Sequence, residues 1–344
     1  MSSSTTGRRR RAVPLLALLA AGTLTLGAAP AADTDPVPSQ GPAAAAPDAS
    51  APEADAQGGA PRKISPYTGL MAEQGPVLAV KFDNARGARP HHNLDKADIV
   101  YVEKVEGGMS RLMGVYSSKI PRAVGPVRSA RESDVELLKQ FGRPALAYSG
   151  VRSSLHKFLK DSPIYVRSHG ALPRAYYRAP GRNAPHNLFV NPGMVLKSAP
   201  RAHKPKDIGF RFGPAPKGGT RTAERTVRYA SASHTFRWSP SQKRWYVRFD
   251  GAPAWQSNGK QMSARTIVIQ KVKMPPSKYR DVNGAVTPYI KTVGEGWATV
   301  LRDGKAYKSW WMRPNTKSGT KFIQKGGKPM PFAKGQVWIV YEDA

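Results

Sequence analysis

The polar residues best suited to chemistry lie between residues 82 and 131. Asp83 and Asn84 directly follow an apolar run, and Arg89 comes a few residues later. Glu103 and Glu106 lie on and just after a second apolar run. Ligand sites of α/β proteins collect at the carboxyl ends of strands, and a buried strand that carries carboxylates needs partners for them. We therefore expect these residues to form one polar cluster with nearby arginines.

The segment 125–132, with the sequence GPVRSARE, is predicted to be a loop that leads into a helix. Ser129 and Glu132 have the spacing of a capping box, with Ser129 as the N-cap. Arg128 and Arg131 are unfavourable beside the positive end of a helix dipole, so we expect an anion between them. That anion is either a protein carboxylate in an internal ion-pair network or a phosphate or carboxylate ligand.

His186 and Asn187 precede a short apolar run and extend the candidate cluster. A lone histidine is usually structural, and His186 gains interest only if it converges on the acidic and arginine residues. Three functions fit: binding of an anionic group, envelope glycan or phosphodiester hydrolysis or transfer, or a structural or partner-binding module whose cluster is an internal salt-bridge network. In the second, Glu103 or Glu106 is the general acid or base, Asp83 is its partner or a metal ligand, and His186 is a proton shuttle.

Several observations weigh against the enzyme hypothesis. The sequence contains no Ser-His-Asp signature, HExxH motif, P-loop or paired metal motif. We expect no metal and no cofactor. Carboxylates beside arginines should also have lowered pKa values, which suits a ligand-holding group or nucleophile better than a general acid.

The elements that position this cluster alternate between strand and helix patterns over residues 65–200. Alternating apolar positions predict strands, and spacing of three to four predicts helices. The predicted strands are 77–82, 98–105, 111–117, 145–148 and 188–190, and the predicted helices begin at 132 and 153. On the second strand, Tyr101, Glu103 and Val105 share one face. The alternation predicts an N-terminal α/β domain with a mixed sheet.

A connector rich in Pro, Gly and Lys, residues 201–218, precedes a second region with a different secondary-structure pattern. Residues 219–344 show seven closely spaced strand patterns, many separated by Asp-Gly or Asn-Gly turns, and no helix pattern. We predict a β-rich C-terminal domain, a partly closed sheet or small barrel, and so a two-domain α/β or α+β chain. Its tryptophans alternate with Lys and Arg, so they either stack sugars or bases or simply fill a β core.

The chain begins with a pattern typical of exported proteins. Four arginines at 8–11 precede an apolar run and a small-residue cleavage site after Ala31, which predicts a signal peptide over 1–31 and not a retained membrane anchor. Either the general or the twin-arginine route fits. Residues 32–64 are rich in Ala and Pro and predict a disordered spacer. No cysteine is present, so we expect a secreted, cell-wall-associated protein without a lipid anchor or retained transmembrane segment.

The charge is strongly positive and belongs to the predicted folded part. The chain has a formal net charge of +31. Residues 201–344 alone hold 28 Lys and Arg against 8 Asp and Glu. Such a charge attracts polyanions, and export favours a cell-wall polymer or membrane surface over nucleic acid. A small anionic ligand also fits, the charge could serve solubility alone, and the oligomeric state is not indicated.

Several motifs together resemble a known family. They are SPYTGL at 65–70, VKFDN at 80–84, Arg89-Pro90, ADIVY at 97–101, VEGG at 105–108, Arg111, GPVRSAR at 125–131, APHNL at 184–188 and GQVWI at 335–339. The chain resembles the YerB-like family of bacterial envelope lipoproteins and secreted proteins, classed as domain of unknown function 3048. The resemblance implies an envelope location, two domains and the polar cluster named above, without a known activity. This chain departs from many relatives in lacking the lipid-accepting cysteine.

Overall fold

The computed structural model describes residues 61–281 and 283–344. The predicted signal peptide and almost all of the predicted spacer lie outside the described residues. The spacer's last residues are described, and Lys63–Ile64 form a short strand paired with Met71–Ala72. No helix in the described part of the chain has the length and apolar character needed to cross a membrane.

The described residues form many short strands and three α-helices. The strands are β1 Lys63–Ile64, β2 Met71–Ala72, β3 Leu78–Asp83, β4 Ile99–Lys104, β5 Ser110–Tyr116, β6 Ala145–Tyr148, β7 Tyr165–Ser168, β8 Tyr176–Arg178, β9 Leu188–Val190, β10 Thr220–Arg221, β11 Glu224–Tyr229, β12 Ala232–Ser239, β13 Arg244–Phe249, β14 Ala252–Pro253, β15 Ser263–Ala264, β16 Thr266–Val272, β17 Pro276–Arg280, β18 Val286–Pro288, β19 Gly294–Arg302, β20 Lys305–Arg313, β21 Lys321–Ile323 and β22 Val337–Asp343. The helices are α1 Glu132–Leu138, α2 Ser153–Lys160 and α3 Pro192–Lys197. The strands and helices predicted from the sequence are all present, with bounds shifted by a few residues.

An eleven-stranded mixed sheet forms the centre of the described unit. Its order is β10-β20-β19-β16-β22-β4-β5-β3-β6-β7, and β21 pairs with β20. Strand β22 lies between β16 and β4 and is parallel to both. The sheet therefore takes strands from both sides of the predicted connector, and the predicted mixed sheet is confirmed.

The two faces of this sheet are covered differently. One face packs against α1 and α2, with Val135, Leu138 and Leu159 in the shared core. The other packs mainly against a five-stranded antiparallel sheet that contributes Phe236 and Trp245. An α/β sheet would carry helices on both faces. On the second face only the short helix α3 packs beside β6, so the prediction of an α/β domain holds only in part.

The β-rich half does not close on itself. Among residues 219–281 and 283–344 we find open sheets and no closed barrel. Strands β16, β19, β20 and β22 extend the central sheet, while β11 to β15 form the second sheet. The predicted small barrel is therefore wrong, because β22 pairs with β16 on one side and, on the other, with β4 of the first half instead of closing the sheet within its own half.

Candidate functional site

A row of charged residues crosses three neighbouring strands of the central sheet. Asp83 on β3 lies opposite Arg111 on β5, and Arg111 lies opposite Glu103 on β4. Side chains alternate between the faces of a strand, and the apolar chain neighbours of these residues, Phe82, Leu112 and Val102, belong to the core on the opposite face. All three charges therefore point toward the face that α1 covers.

Asp83 is the central residue of the candidate site. Its side chain is fully buried, and its Oδ2 lies 2.7 Å from Nδ1 of His186 and 3.5 Å from Nε of Arg128. Its Oδ1 lies 3.5 Å from an Arg111 guanidinium nitrogen. Burial alone would raise the pKa of Asp83, but the Arg111 charge and the His186 hydrogen bond outweigh it, so the pKa is lowered. Asp83 is therefore an ionised acceptor shared by three groups.

His186 and Arg128 connect the buried Asp83 carboxylate with the solvent-exposed surface. Their side chains are 27% and 28% exposed, whereas Asp83 is buried. An ionised carboxylate can only accept, so Nδ1 of His186 donates to Asp83, and in the neutral ring the Nε2 lone pair is free. The sequence-based expectation that His186 converges on the acidic and arginine residues is confirmed.

A second ion pair joins the strand end to the start of α1. Arg131 donates to both carboxylate oxygens of Glu106, at 2.6 and 2.7 Å, and the Thr287 hydroxyl donates to the same carboxylate. Burial alone would raise the pKa of Glu106, but Arg131 outweighs it and the pKa is lowered. The expected lowering of carboxylate pKa values is thus confirmed for both Asp83 and Glu106, and neither is suited to act as a general acid.

Glu103 belongs to a sealed ion-pair cluster beneath the site. Nζ of Lys81 contacts the Glu103 carboxylate and lies 2.6 Å from Oδ1 of Asp134 on α1. All three side chains are buried. Burial lowers the pKa of Lys81, and the Asp134 carboxylate opposes that effect. Glu103 therefore has no access to a substrate, and its predicted role as general acid or base is wrong.

The predicted capping box is also wrong. Helix α1 begins at Glu132, and its N-cap is Arg131, whose backbone N–H donates to Oδ2 of Asp134 at 2.7 Å. Ser129 lies outside the helix and its hydroxyl is 3.4 Å from that of Ser149. The chain before the helix is held extended beside β3, and the Arg128 backbone N–H donates to the Lys81 carbonyl at 2.8 Å.

Asn84 and Arg89 are brought together, but away from the Asp83 carboxylate. Arg89 donates to the side-chain and backbone oxygens of Asn84 at 3.2 and 2.8 Å and forms an ion pair of 2.9 Å with Asp250. Its guanidinium also lies over the Phe249 ring. These contacts fasten the end of β3 to the second sheet, which is a structural role.

Asn187 does not join the cluster. Its side-chain oxygen accepts from Arg178 at 2.7 Å, and its amide donates to the Arg182 carbonyl at 3.0 Å. Both bonds lie within the loop that carries His186. Asn187 therefore shapes the loop that presents the histidine.

A cleft of about 340 Å³ opens between residues 125–131, which we call the arginine loop, and the β17–β18 hairpin. We call it the arginine cleft. Its cationic lining residues are Arg111, Arg128, Arg131, Arg152 and Arg280, and its acidic ones are Glu106, Glu132 and Asp281.

The arginines of this cleft differ in how far their charge is compensated. Arg131 is paired with Glu106, while Arg111 and Arg128 share Asp83. Arg152 and Arg280 donate only to backbone carbonyls, at 2.8 and 3.0 Å, and no carboxylate lies within 4.0 Å of them in residues 61–281 and 283–344. The cleft therefore has an excess of positive charge.

Several site residues were not singled out from the sequence. Lys81 could have been identified from the sequence, since a lysine in an otherwise apolar strand needs buried partners. Arg111 carried the same signal, and its Nε is buried without a hydrogen-bond partner among the described residues. Arg152 and Arg280 carried none, because only the long-range fold brings them to the cleft.

The donor set does not favour a metal. In the part of the chain that the structure describes, no group of three or more His, Asp or Glu residues is placed to hold an ion. The carboxylates of the cleft are already engaged, Glu106 by Arg131 and Thr287, Glu132 by Ser277, and Asp281 by backbone N–H groups of its own hairpin. The arrangement instead suits hydrogen bonding and charge attraction to an anion.

Comparison with known families identifies both parts of the chain. The family model described as the DUF3048 N-terminal domain, of unknown function, matches residues 67–205. The DUF3048 C-terminal domain matches residues 225–339. The chain belongs to the DUF3048 family. This confirms the YerB-like resemblance, and the DUF3048 N-terminal model contains every residue of the predicted cluster.

Two comparisons concern one relative from Bacillus subtilis. The protein named "Putative lipoprotein YerB" of strain 168 is 26% identical over 292 residues, which span 80% of this chain and 85% of that protein. The crystal structure of YerB protein from Bacillus subtilis matches with a TM-score of 0.70 at 22% identity, covering 80% of this chain and 95% of that one. This DUF3048 chain therefore shares its fold with the YerB structure.

Proposed function

We propose that this chain is an extracytoplasmic envelope protein that binds an anionic ligand in the arginine cleft. The observation that carries the proposal is that Arg111 and Arg128 share a single carboxylate, that of Asp83. One of these two positive charges is therefore not neutralised, and Arg152 and Arg280 on the cleft wall add two more. A phosphate or carboxylate group would supply the missing negative charge and accept bonds from the guanidinium forks.

The family and the sequence support the proposed location. The relative from Bacillus subtilis carries the name "Putative lipoprotein YerB", and lipoproteins are a class that is attached outside the cytoplasm. The N-terminal segment of this chain has the pattern of a signal peptide. Outside the cytoplasm, the net charge of +31 attracts anionic cell-wall polymers or membrane headgroups. The ligand of the cleft would then be an acidic group of such a polymer or a small anion.

A titration with inorganic phosphate tests the binding proposal. The full chain, titrated calorimetrically at low salt, should bind phosphate, and Arg128→Gln should weaken binding about tenfold or more. Arg201→Gln removes an exposed arginine outside the cleft and serves as the control for net charge. Equal phosphate affinity of the parent and Arg128→Gln, with both proteins folded, would contradict the proposal.

A second candidate function is hydrolysis of an envelope phosphodiester. The observation that favours it is the 2.7 Å contact between Asp83 and His186, which orients a partly exposed imidazole with a free Nε2. Nε2 would take the proton of a water that attacks phosphorus, the P–O bond to the leaving alcohol would break, and the imidazolium would give that proton to the leaving oxygen, while Arg128, held by the same carboxylate, would stabilise charge on the phosphoryl oxygens. Among the described residues no hydroxyl lies within hydrogen-bond distance of His186, so the nucleophile would be water.

A chromogenic diester distinguishes this candidate from simple binding. Hydrolysis of bis(p-nitrophenyl) phosphate by the full chain should fall by about a hundredfold or more in His186→Asn. Phosphate affinity should change much less in that variant than in Arg128→Gln. No turnover by the parent, or equal turnover by parent and variant, would rule out hydrolysis and leave ligand binding as the remaining candidate function.

A further inference from the structure

A groove of about 570 Å³ lies where β16 and β19 separate. Their pairing ends at Gln270 and Ala298, although β16 continues to Val272 and β19 begins at Gly294. The groove is lined by the ends of these strands and by residues 273, 291, 293, 311 and 344. It is separate from the arginine cleft, because the two share no lining residue.

The floor of the groove is a fixed structure and not a loose gap. Trp311 of β20 is buried there, and its indole Nε1 donates to the Lys271 carbonyl of β16 at 2.8 Å, so that the indole reaches past Gly296 of β19 to β16. Gly296 makes room for the indole, since a Cβ at this position would lie 3.0 Å from Nε1. The indole therefore holds the strands at a set distance.

One wall presents an exposed aromatic ring. Trp297 is 59% exposed, which is unusual for a residue with so much apolar surface. It packs edge-on against Trp310 at a centroid distance of 4.9 Å, and the Trp310 indole donates to Glu295 at 3.2 Å. These contacts hold the Trp297 ring in place while leaving more than half of it open to a ligand.

Three exposed lysines line the same groove. Lys271 and Lys273 lie at the end of β16 and just after it, and Lys291 lies across from them. In residues 61–281 and 283–344 no carboxylate lies within 4.0 Å of their ammonium groups. Glu295 is the acidic residue of the lining, and its carboxylate accepts from Trp310. The groove thus combines one open aromatic ring with three lysines that have no ion-pair partner among the described residues.

We propose that this groove binds an anionic polysaccharide. The apolar face of one sugar ring would pack on Trp297, and acidic groups of that ring and its neighbours would lie at Lys271, Lys273 and Lys291. A glycan is favoured over a nucleic acid by the extracytoplasmic location, which is the one point taken from the proposed function. Ligand binding in the arginine cleft is not required.

Hyaluronan hexasaccharide, an alternating uronic acid and amino sugar chain, is the probe for the test. Calorimetry of the full chain at low salt should show binding that weakens about tenfold or more in Trp297→Ala. The triple variant K271Q/K273Q/K291Q should weaken it similarly. Trp255→Ala removes another exposed tryptophan, 48% exposed, and should leave binding unchanged. In an Arg128→Gln background, Trp297→Ala should still weaken binding about tenfold or more, which separates this site from the arginine cleft.

Three outcomes would overturn the proposal. The first is no hyaluronan binding by the folded parent. The second is an equal loss of hyaluronan affinity in Trp297→Ala and Trp255→Ala, or no loss in either, which would mean that binding depends on charge alone. Inorganic polyphosphate that binds as tightly as hyaluronan would mean the same. The third is tighter, Trp297-dependent binding of single-stranded oligo(dT), which would assign the groove to nucleic acid.

Discussion

Oδ2 of Asp83 lies 2.7 Å from Nδ1 of His186, although the two residues are 103 positions apart in the chain. The same oxygen lies 3.5 Å from Nε of Arg128. One buried carboxylate at the end of β3 therefore orients the histidine and sets the charge balance of the arginine cleft. This contact makes Asp83 the residue on which both candidate functions depend.

Asp83→Asn should destabilise the protein strongly. The amide would leave Arg111 buried without its carboxylate and Arg128 without its nearest anion. Removing one partner of a buried charge pair costs about 3 kcal/mol or more of unfolding free energy. Urea denaturation measures the loss. Asp207→Asn is the control, because its partner Arg211 is on the surface and such a pair contributes less than about 1 kcal/mol. Equal losses would contradict the account.

Lys81→Met should be similarly destabilising for the opposite reason. It leaves two buried carboxylates, Glu103 and Asp134, without the cation they share. We expect a loss of about 3–5 kcal/mol, and the double variant K81M/E103Q should recover part of it because one unpaired charge is removed. Lys157→Met, at an exposed pair, is the control. A double variant less stable than Lys81→Met would show that Glu103 is not the partner.

The sequence predicted the parts of this arrangement that depend on local patterns. Successive side chains of a strand point to opposite faces, so the two-residue alternation on β3, β4 and β5 predicts which side chains share a face, and both faces of these strands are buried. The apolar spacing after residue 132 predicts α1, because apolar residues three to four positions apart share one face of a helix. Asp83, Arg128 and His186 were also correctly grouped, since charges near buried strands require partners.

Other features depend on contacts that no local pattern encodes. The pairing of β22 with β4 joins residues more than 230 positions apart and turns the expected barrel strands into part of the central sheet. Ser129 has the spacing of an N-cap, but hydrogen bonds to neighbouring segments hold the chain extended there. Asp134 then caps the helix instead.

Gly107 and Gly108 form a matched pair for testing how closely their turn packs against Ala230. Both have positive φ, 63° and 68°, so either alanine variant pays a backbone cost of about 1–2 kcal/mol. A Cβ at Gly107 meets nothing within 4 Å, whereas one at Gly108 lies 2.5 Å from the Cβ of Ala230. Gly108→Ala should therefore lower the melting temperature clearly more than Gly107→Ala. Equal shifts would mean that the turn next to Ala230 moves freely.

Two buried histidines should make the protein less stable as the pH falls below about 6.5. Burial lowers the pKa of His91 to about 4 and that of His234 to about 3, from 6.5. The folded state then binds fewer protons than the unfolded state, so stability is full above pH 6.5 and is lost as the pH falls toward these values. For His91 alone the pKa difference corresponds to about 3 kcal/mol.

His234→Phe tests this pH dependence. Neither ring nitrogen of His234 has a hydrogen-bond partner among the described residues, and the ring packs edge-on against Tyr229 and Phe249. The phenyl ring should keep the packing and flatten the loss of unfolding free energy between pH 6.5 and 4. A variant with the same pH profile as the parent would show that His234 is protonated normally in the folded protein.

The most direct test of anion binding is to locate an anion in crystals of the full chain. Tungstate is a tetrahedral oxyanion whose anomalous scattering marks its position. The account predicts a tungstate in the arginine cleft, within hydrogen-bond distance of Arg128 and of Arg152 or Arg280, and its loss in crystals of Arg128→Gln. Tungstate only at other surface sites, or in the cleft of both proteins alike, would contradict the central claim.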